Sequence, residues 1–114
     1  MATIAPDTSS DPGGIVTVII PVDKNGEVKS EPAPFTIFKS LHQQVLWQAS
    51  DGNAQFNIEF KDNDSPFDHT QFSNVEPYSG LVRREVLGDP GRYYKYTVRT
   101  GKKKSIDPGG IVNR

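Results

Sequence analysis

The feature that most constrains this chain is an alternation of apolar and polar residues with a period of two, confined to short runs that end in turn residues. In AQFNIEF, Phe56, Ile58 and Phe60 fall on one side and Gln55, Asn57 and Glu59 on the other. Successive side chains of a strand point to opposite faces, so this pattern suits a sheet with one buried face and does not suit a helix, whose period is 3.6. The same alternation groups Val16, Val18, Ile20 and Val22 in GGIVTVIIPV, with Ile15, Thr17, Ile19 and Pro21 on the opposite side. It also groups Val45 with Trp47 in QQVLWQAS, and Tyr94, Tyr96 and Val98 in RYYKYTVRT. In EPAPFTIFK the two prolines cannot donate to a ladder, so this segment is expected at a sheet edge, extended only around Phe35 to Phe38. LVRREVLG reads as a further strand and SIDPGGIVNR as a short final one.

Ten Gly and nine Pro close these runs. Asn25-Gly26 in DKNGEV adopts the positive φ that tight hairpins require, so the chain is expected to turn back there. The hexapeptide DPGGIV occurs twice, at 11–16 and 107–112. In each copy Asp-Pro opens a turn, the glycines permit dihedrals that other residues resist, and Ile-Val begins a strand. Nothing between the copies repeats, so they are two strand launchers and not units of a solenoid. A chain of 114 residues is of a size for one core. The expectation is a single all-β domain over 11–114, about seven short strands in a Greek-key β-sandwich, preceded by a loose arm at 1–10, MATIAPDTSS.

Several chemistries lack their residues. With no Cys there is no disulfide framework and no thiolate nucleophile or ligand. His42 and His69, the two imidazoles, are separated by the strand around Ile58 and lack ligand spacing. Asp62, Asp64 and Asp68 in DNDSPFDH suggest an acidic cation loop, but the turn Gly and closing Glu of a calcium-binding loop are missing. No GxSxG elbow and no glycine-rich phosphate loop occurs. The chain is therefore expected to be no enzyme and to carry no metal or cofactor. No basic-then-apolar leader and no run of roughly 18 apolar residues is present, which leads to the expectation of a soluble, cytoplasmic protein without a membrane partner.

The order VLW, a Gly-containing turn, FNIEF, a long irregular stretch, YYKYTV, and a Gly-rich turn before GGIV resembles the second half of a cupredoxin, over roughly residues 40–114. The resemblance implies a cupredoxin-like sandwich. The copper ligands of that family are replaced: Phe56 stands where its first His would be, Val98 and Arg99 stand where its Cys strand ends, and TGKKKSIDPGG has neither His nor Met. A blue-copper centre needs a thiolate with two imidazoles, so what the resemblance implies is the scaffold without its metal, as in metal-free bacterial cupredoxin-fold proteins.

Two stretches remain as binding candidates. Residues 61–80, KDNDSPFDHTQFSNVEPYSG, have no sustained period, and structureless loops of this length in compact domains are often functional. Phe67, His69, Phe72 and Tyr78 would form a protein-binding surface if the rings face outward, or a lid on the core if they fold back. The second stretch is RYYKYTVRTGKKK, whose Lys95 and Arg99 alternate outward with Tyr93 and Thr97, followed by Lys102, Lys103 and Lys104. It would suit an anionic ligand or nucleic acid. Residues 1–80 hold 4 Lys or Arg against 11 Asp or Glu, a net of −7, and residues 81–114 hold 9 against 3, a net of +6. These charges are expected to compensate each other across the fold, which disfavours nucleic acid. The leading expectation is a non-catalytic protein-interaction module acting through the 61–80 loop on an unidentified protein partner, with the anionic-ligand module over 92–104 as the alternative.

Overall fold

A computed structural model describes residues 14–105 and 108–114. The expected arm at 1–10, the start of the first DPGGIV and Asp107 of the second lie outside the described residues. The strands are β1 (Ile15–Ile20), β2 (Phe35–Phe38), β3 (Gln44–Ala49), β4 (Asn57–Phe60), β5 (Gln71–Ser73), β6 (Tyr93–Arg99), β7 (Lys104–Ser105) and β8 (Gly109–Asn113). Two single 3-10 turns, Lys39–Leu41 and Lys61–Asn63, are the helical elements among the described residues, so the fold is all-β.

β1 and β3 pair in parallel as a small sheet, with Val18 beside Trp47 and Ile20 beside Ala49. The larger sheet is mixed, in the order β2-β8-β6-β4-β5, with β7 also on β6. β2 runs parallel to β8 and the remaining neighbours are antiparallel. The inward residues read from the alternation are buried: Val18 and Ile20, Val45 and Trp47, Phe56, Ile58 and Phe60, and Tyr94, Tyr96 and Val98. Phe35, Ile37 and Val112 join them in one apolar cluster shared by the two sheets. Its centre is Trp47, stacked on Phe72 with ring centroids 4.9 Å apart and met edge-on by Tyr96, Phe60 and Phe67. At the Asn25-Gly26 turn, Gly26 has φ of 78° and the Asp23 carboxylate accepts the N–H groups of Asn25 and Glu27. The returning chain bridges Val22 to Val28.

Three expectations are corrected. LVRREVLG is not a strand: Val82 makes one bridge to Phe67, and Val86 N–H then donates to Arg83 C=O in a turn. A strand here would place Arg84 on the same face as Val82 and Val86, driving a guanidinium into the core, and the turn removes that cost. The 61–80 stretch is not structureless, since it contains β5. Thr97, assigned to the outer face of β6, is buried. The second DPGGIV does launch β8, but its glycines answer to contact, because a Cβ on Gly109 would collide with the Tyr94 carbonyl and one on Gly110 with the Phe35 ring.

Candidate functional site

The chain after β4 is shaped by short polar contacts. Ser65 Oγ accepts the Phe67 N–H at 3.0 Å and donates to the His69 carbonyl at 2.8 Å, a tight local turn. Phe67 is only 1% exposed, between Phe35, Trp47, Phe60 and Phe72. β5 then sets Phe72 opposite Ile58 on the inner face of β4. Ser73 Oγ accepts the N–H groups of Val75 and Glu76, and the chain reverses. It crosses to the small sheet, where Pro77 C=O accepts the Trp47 N–H at 3.0 Å and Ser79 N–H donates to Val45 C=O at 2.8 Å. Ser79 Oγ accepts the Val45 N–H, also at 2.8 Å. The stretch read as a loop thus stitches the large sheet to the outer edge of β3.

Of the two arrangements open to these rings, outward surface or lid on the core, Phe67 and Phe72 take the second and Tyr78 the first. Phe67 and Phe72 are core rings, because each is needed to cover Trp47. His69 is exposed but lies apart from them on the solvent side. Tyr78 is the one ring of the three that faces outward, at 52% exposure, and it bridges to Leu46 of β3.

Around Tyr78 the outer face of the small sheet has an unusual composition. Register places Ile15 beside Gln44, Thr17 beside Leu46 and Ile19 beside Gln48, with Tyr78 on the far side of Leu46. These seven side chains include no Asp, Glu, Lys, Arg or His, in a chain of which 24% is charged. Ile15 and Ile19 are 37% and 47% exposed. Sequence reasoning passed over this face, although GGIVTVIIPV is apolar on both of its sides, a signal that its solvent side is not an ordinary one.

The basic candidates are brought only partly together. Lys95 and Arg99 lie on the exposed side of β6, and Arg99 is paired directly with Lys104 of β7. Arg99 lines a shallow hollow of about 330 Å³, but Glu59 and Glu76 line it too. Lys102 and Lys103 have exposed side chains, while their backbone N–H groups donate to Glu27 Oε1 at 2.9 and 3.0 Å. Thr100 Oγ1 donates to the same oxygen at 2.7 Å. The Lys102 N–H and the Thr100 hydroxyl hold the Glu27 carboxyl below its usual range. Arg92 pairs with Asp64 at 2.6 Å and lies 4.6 Å from the Tyr94 ring centre. The Arg92–Asp64 ion pair thus joins opposite charges of the two halves, whereas Glu27 is held by backbone and hydroxyl donors of the Thr100–Lys103 turn.

Other chemistry is sparse. Among the described residues no three His, Cys, Asp or Glu side chains converge as a metal site. His42 and His69 are both exposed, and burial pushes the Tyr96 hydroxyl far above the ordinary phenol range. No helix of the described residues is long and apolar enough to cross a membrane. Compared with known proteins, the chain matches no protein family, no curated protein and no solved structure. Its likeness to cupredoxins thus rests on the order of its hydrophobic motifs alone.

Proposed function

We propose that this protein is a non-catalytic interaction module, a metal-free cupredoxin-like Greek-key sandwich that binds another protein through the uncharged face of its small sheet. The observation that carries this reading is Tyr78, half exposed beside Leu46 on a face without a single charged side chain. Aromatic rings anchor interfaces because they offer large area with few rotatable bonds, and depletion of charge marks the centre of such surfaces. The contact site is thus the end of the 61–80 stretch together with β1 and β3, in place of the whole loop.

The basic strand and turn support an anionic ligand less well. The carboxylate of Glu27 already fills the backbone donors of the turn, and Glu59 and Glu76 stand in the hollow beside Arg99. Capture from an extract of the native cells distinguishes the two readings. A partner retained by the wild type and by the Lys102→Ala, Lys103→Ala, Lys104→Ala triple variant, but lost by Tyr78→Ala and by Leu46→Lys, is the expected result. Equal recovery by all four proteins would refute the Tyr78 face, and loss with the lysine variant alone would move the site to the basic turn.

A further inference from the structure

The uncharged face of the small sheet has a shape as well as a composition. β3 runs down its middle, with β1 on one side and the Tyr78 segment on the other, each about 4.8 Å away. Its central row brings Thr17, Leu46 and Tyr78 into line. Thr17 is the smallest side chain of the face and stands between Ile15 and Ile19, which are 37% and 47% exposed. Tyr78 is the largest, and it is 52% exposed. A notch and a ring therefore flank Leu46 at similar distances on opposite sides. Gln44, Leu46 and Gln48 stand along β3 itself.

We propose that this face packs on the same face of a second copy, about a twofold axis that runs along β3, so that the protein forms a homodimer. The proposal rests on the reading of this face as an interface and names the partner. Rotation about that axis exchanges the two sides of the face. Each Tyr78 ring then comes down on Thr17 of the other copy, between Ile15 and Ile19, so that large meets small twice. Facing sheets stand about 10 Å apart with their side chains filling the space, and the angle between them displaces the central row least. Residues on the axis meet their own copies. Leu46 meets Leu46 as an apolar contact, and each Gln44 and Gln48 amide carries both a donor and an acceptor to offer its copy. A charged side chain at any of these three positions would meet its like, and the face has none. That self-compatibility makes a second copy the occupant, and the interfaces of homodimers are also more apolar than those of transient complexes. The contact is made by side chains and draws on no backbone group of β1.

Such a face measures roughly 14 Å by 20 Å, at the small end of specific interfaces, which run upward from roughly 1,000 Å² in total, so association in the micromolar range is expected. Sedimentation velocity on the whole chain over a concentration series tests it, for the wild type, Thr17→Tyr, Tyr78→Ala and an equimolar mixture of the two variants. Both positions are exposed, and urea unfolding followed by Trp47 fluorescence reports that each variant is folded. The wild type should shift from monomer to dimer with concentration. Thr17→Tyr fills the notch and Tyr78→Ala removes the ring, so each alone should raise the dissociation constant more than about tenfold. The mixture should recover the dimer, because the added ring of one variant faces the truncated position of the other while native Tyr78 faces native Thr17 at the second contact. A variant that dimerises as the wild type does, or a mixture no tighter than its components, would overturn the proposal. A wild type that stays monomeric at its highest soluble concentration would overturn it too, even where capture from the extract still shows a different protein lost with Tyr78→Ala, a result that would leave the interface reading standing without the dimer.

Discussion

Residues 61–80 and 81–92 are neighbouring connectors that exchange the roles their sequences suggest. The first has no periodicity, two prolines and four Asp or Glu before its last turn residues, yet it supplies β5, two rings of the core and a bridge on β3. The second contains LVRREVLG, with valines and leucines at both ends, yet it is held at separate points: the Val82 bridge, the Arg83 guanidinium on Ser65 C=O, and Gly88 against β8. Leu87 is 73% exposed. What separates them is where a buried partner waits. Phe67 and Phe72 each pack against the Trp47 ring, whereas Arg84 would stand where a strand at 82–86 needs an apolar residue. Strand formation in a small sheet is decided by cross-strand and cross-layer contacts more than by local preference.

Substitutions can break this contrast. The largest effect is expected from Phe67→Ala, which removes a ring packed against four others and should cost about 3–5 kcal/mol in urea unfolding. Leu87→Ala, by contrast, should stay within about 0.5 kcal/mol. Equal, small losses for both would show that the 61–80 segment is no more part of the core than its neighbour. Gly88→Ala comes next, since this residue has φ of 97° and an added Cβ would lie 2.7 Å from the backbone of Asn113 and Arg114. A loss of about 1–3 kcal/mol is expected from overpacking and strain. An unchanged midpoint would mean that 81–92 is not pinned to β8. Ser79→Ala deprives the Val45 N–H of its hydroxyl acceptor and should cost about 1–2 kcal/mol, the measure of how firmly the connector closes on β3.

The smallest effect concerns the charged halves of the chain. Glu27 is held below its reference value of 4.5, so its folded state favours the carboxylate over the acid. Its contribution to stability is complete above the unfolded value and disappears as pH falls through the lower folded one. Glu27→Gln should therefore lower Tm slightly at pH 7 and narrow the gap to wild type as pH falls below about 4.5. A gap that widens in acid would contradict the hydrogen-bond arrangement at Thr100–Lys103.

β1, β3, β4 and β6 were legible because each sets two or more bulky residues on one side of an unbroken alternation, and the structure buries those residues. β2 was legible through Pro32 and Pro34, which leave only Phe35–Phe38 free to pair. β5 and β7 were not, because three residues and two residues carry no readable period. Gly109 and Gly110 look like turn residues, and only the approach of Tyr94 and Phe35, distant in the chain, explains why a larger side chain is excluded. At the candidate site, Tyr78 was among the expected residues, but its neighbours Ile15, Ile19 and Leu46 were not. Their outward position depends on the parallel pairing of β1 with β3, a non-local fact for which the doubly apolar β1 was the one local hint.

The 61–80 connector is built into the core and leaves Tyr78 as its outward ring. Native-state amide hydrogen exchange tests it most directly, because the Trp47 N–H is held by Pro77 C=O and the Ser79 N–H by Val45 C=O. Both amides should exchange as slowly as those of β4 and β6, while the amide of Leu87, on the exposed connector, exchanges close to the unprotected rate. Trp47 and Ser79 exchanging as fast as Leu87 would contradict the claim, detaching the connector from the small sheet and returning Phe67 and Phe72 to solvent.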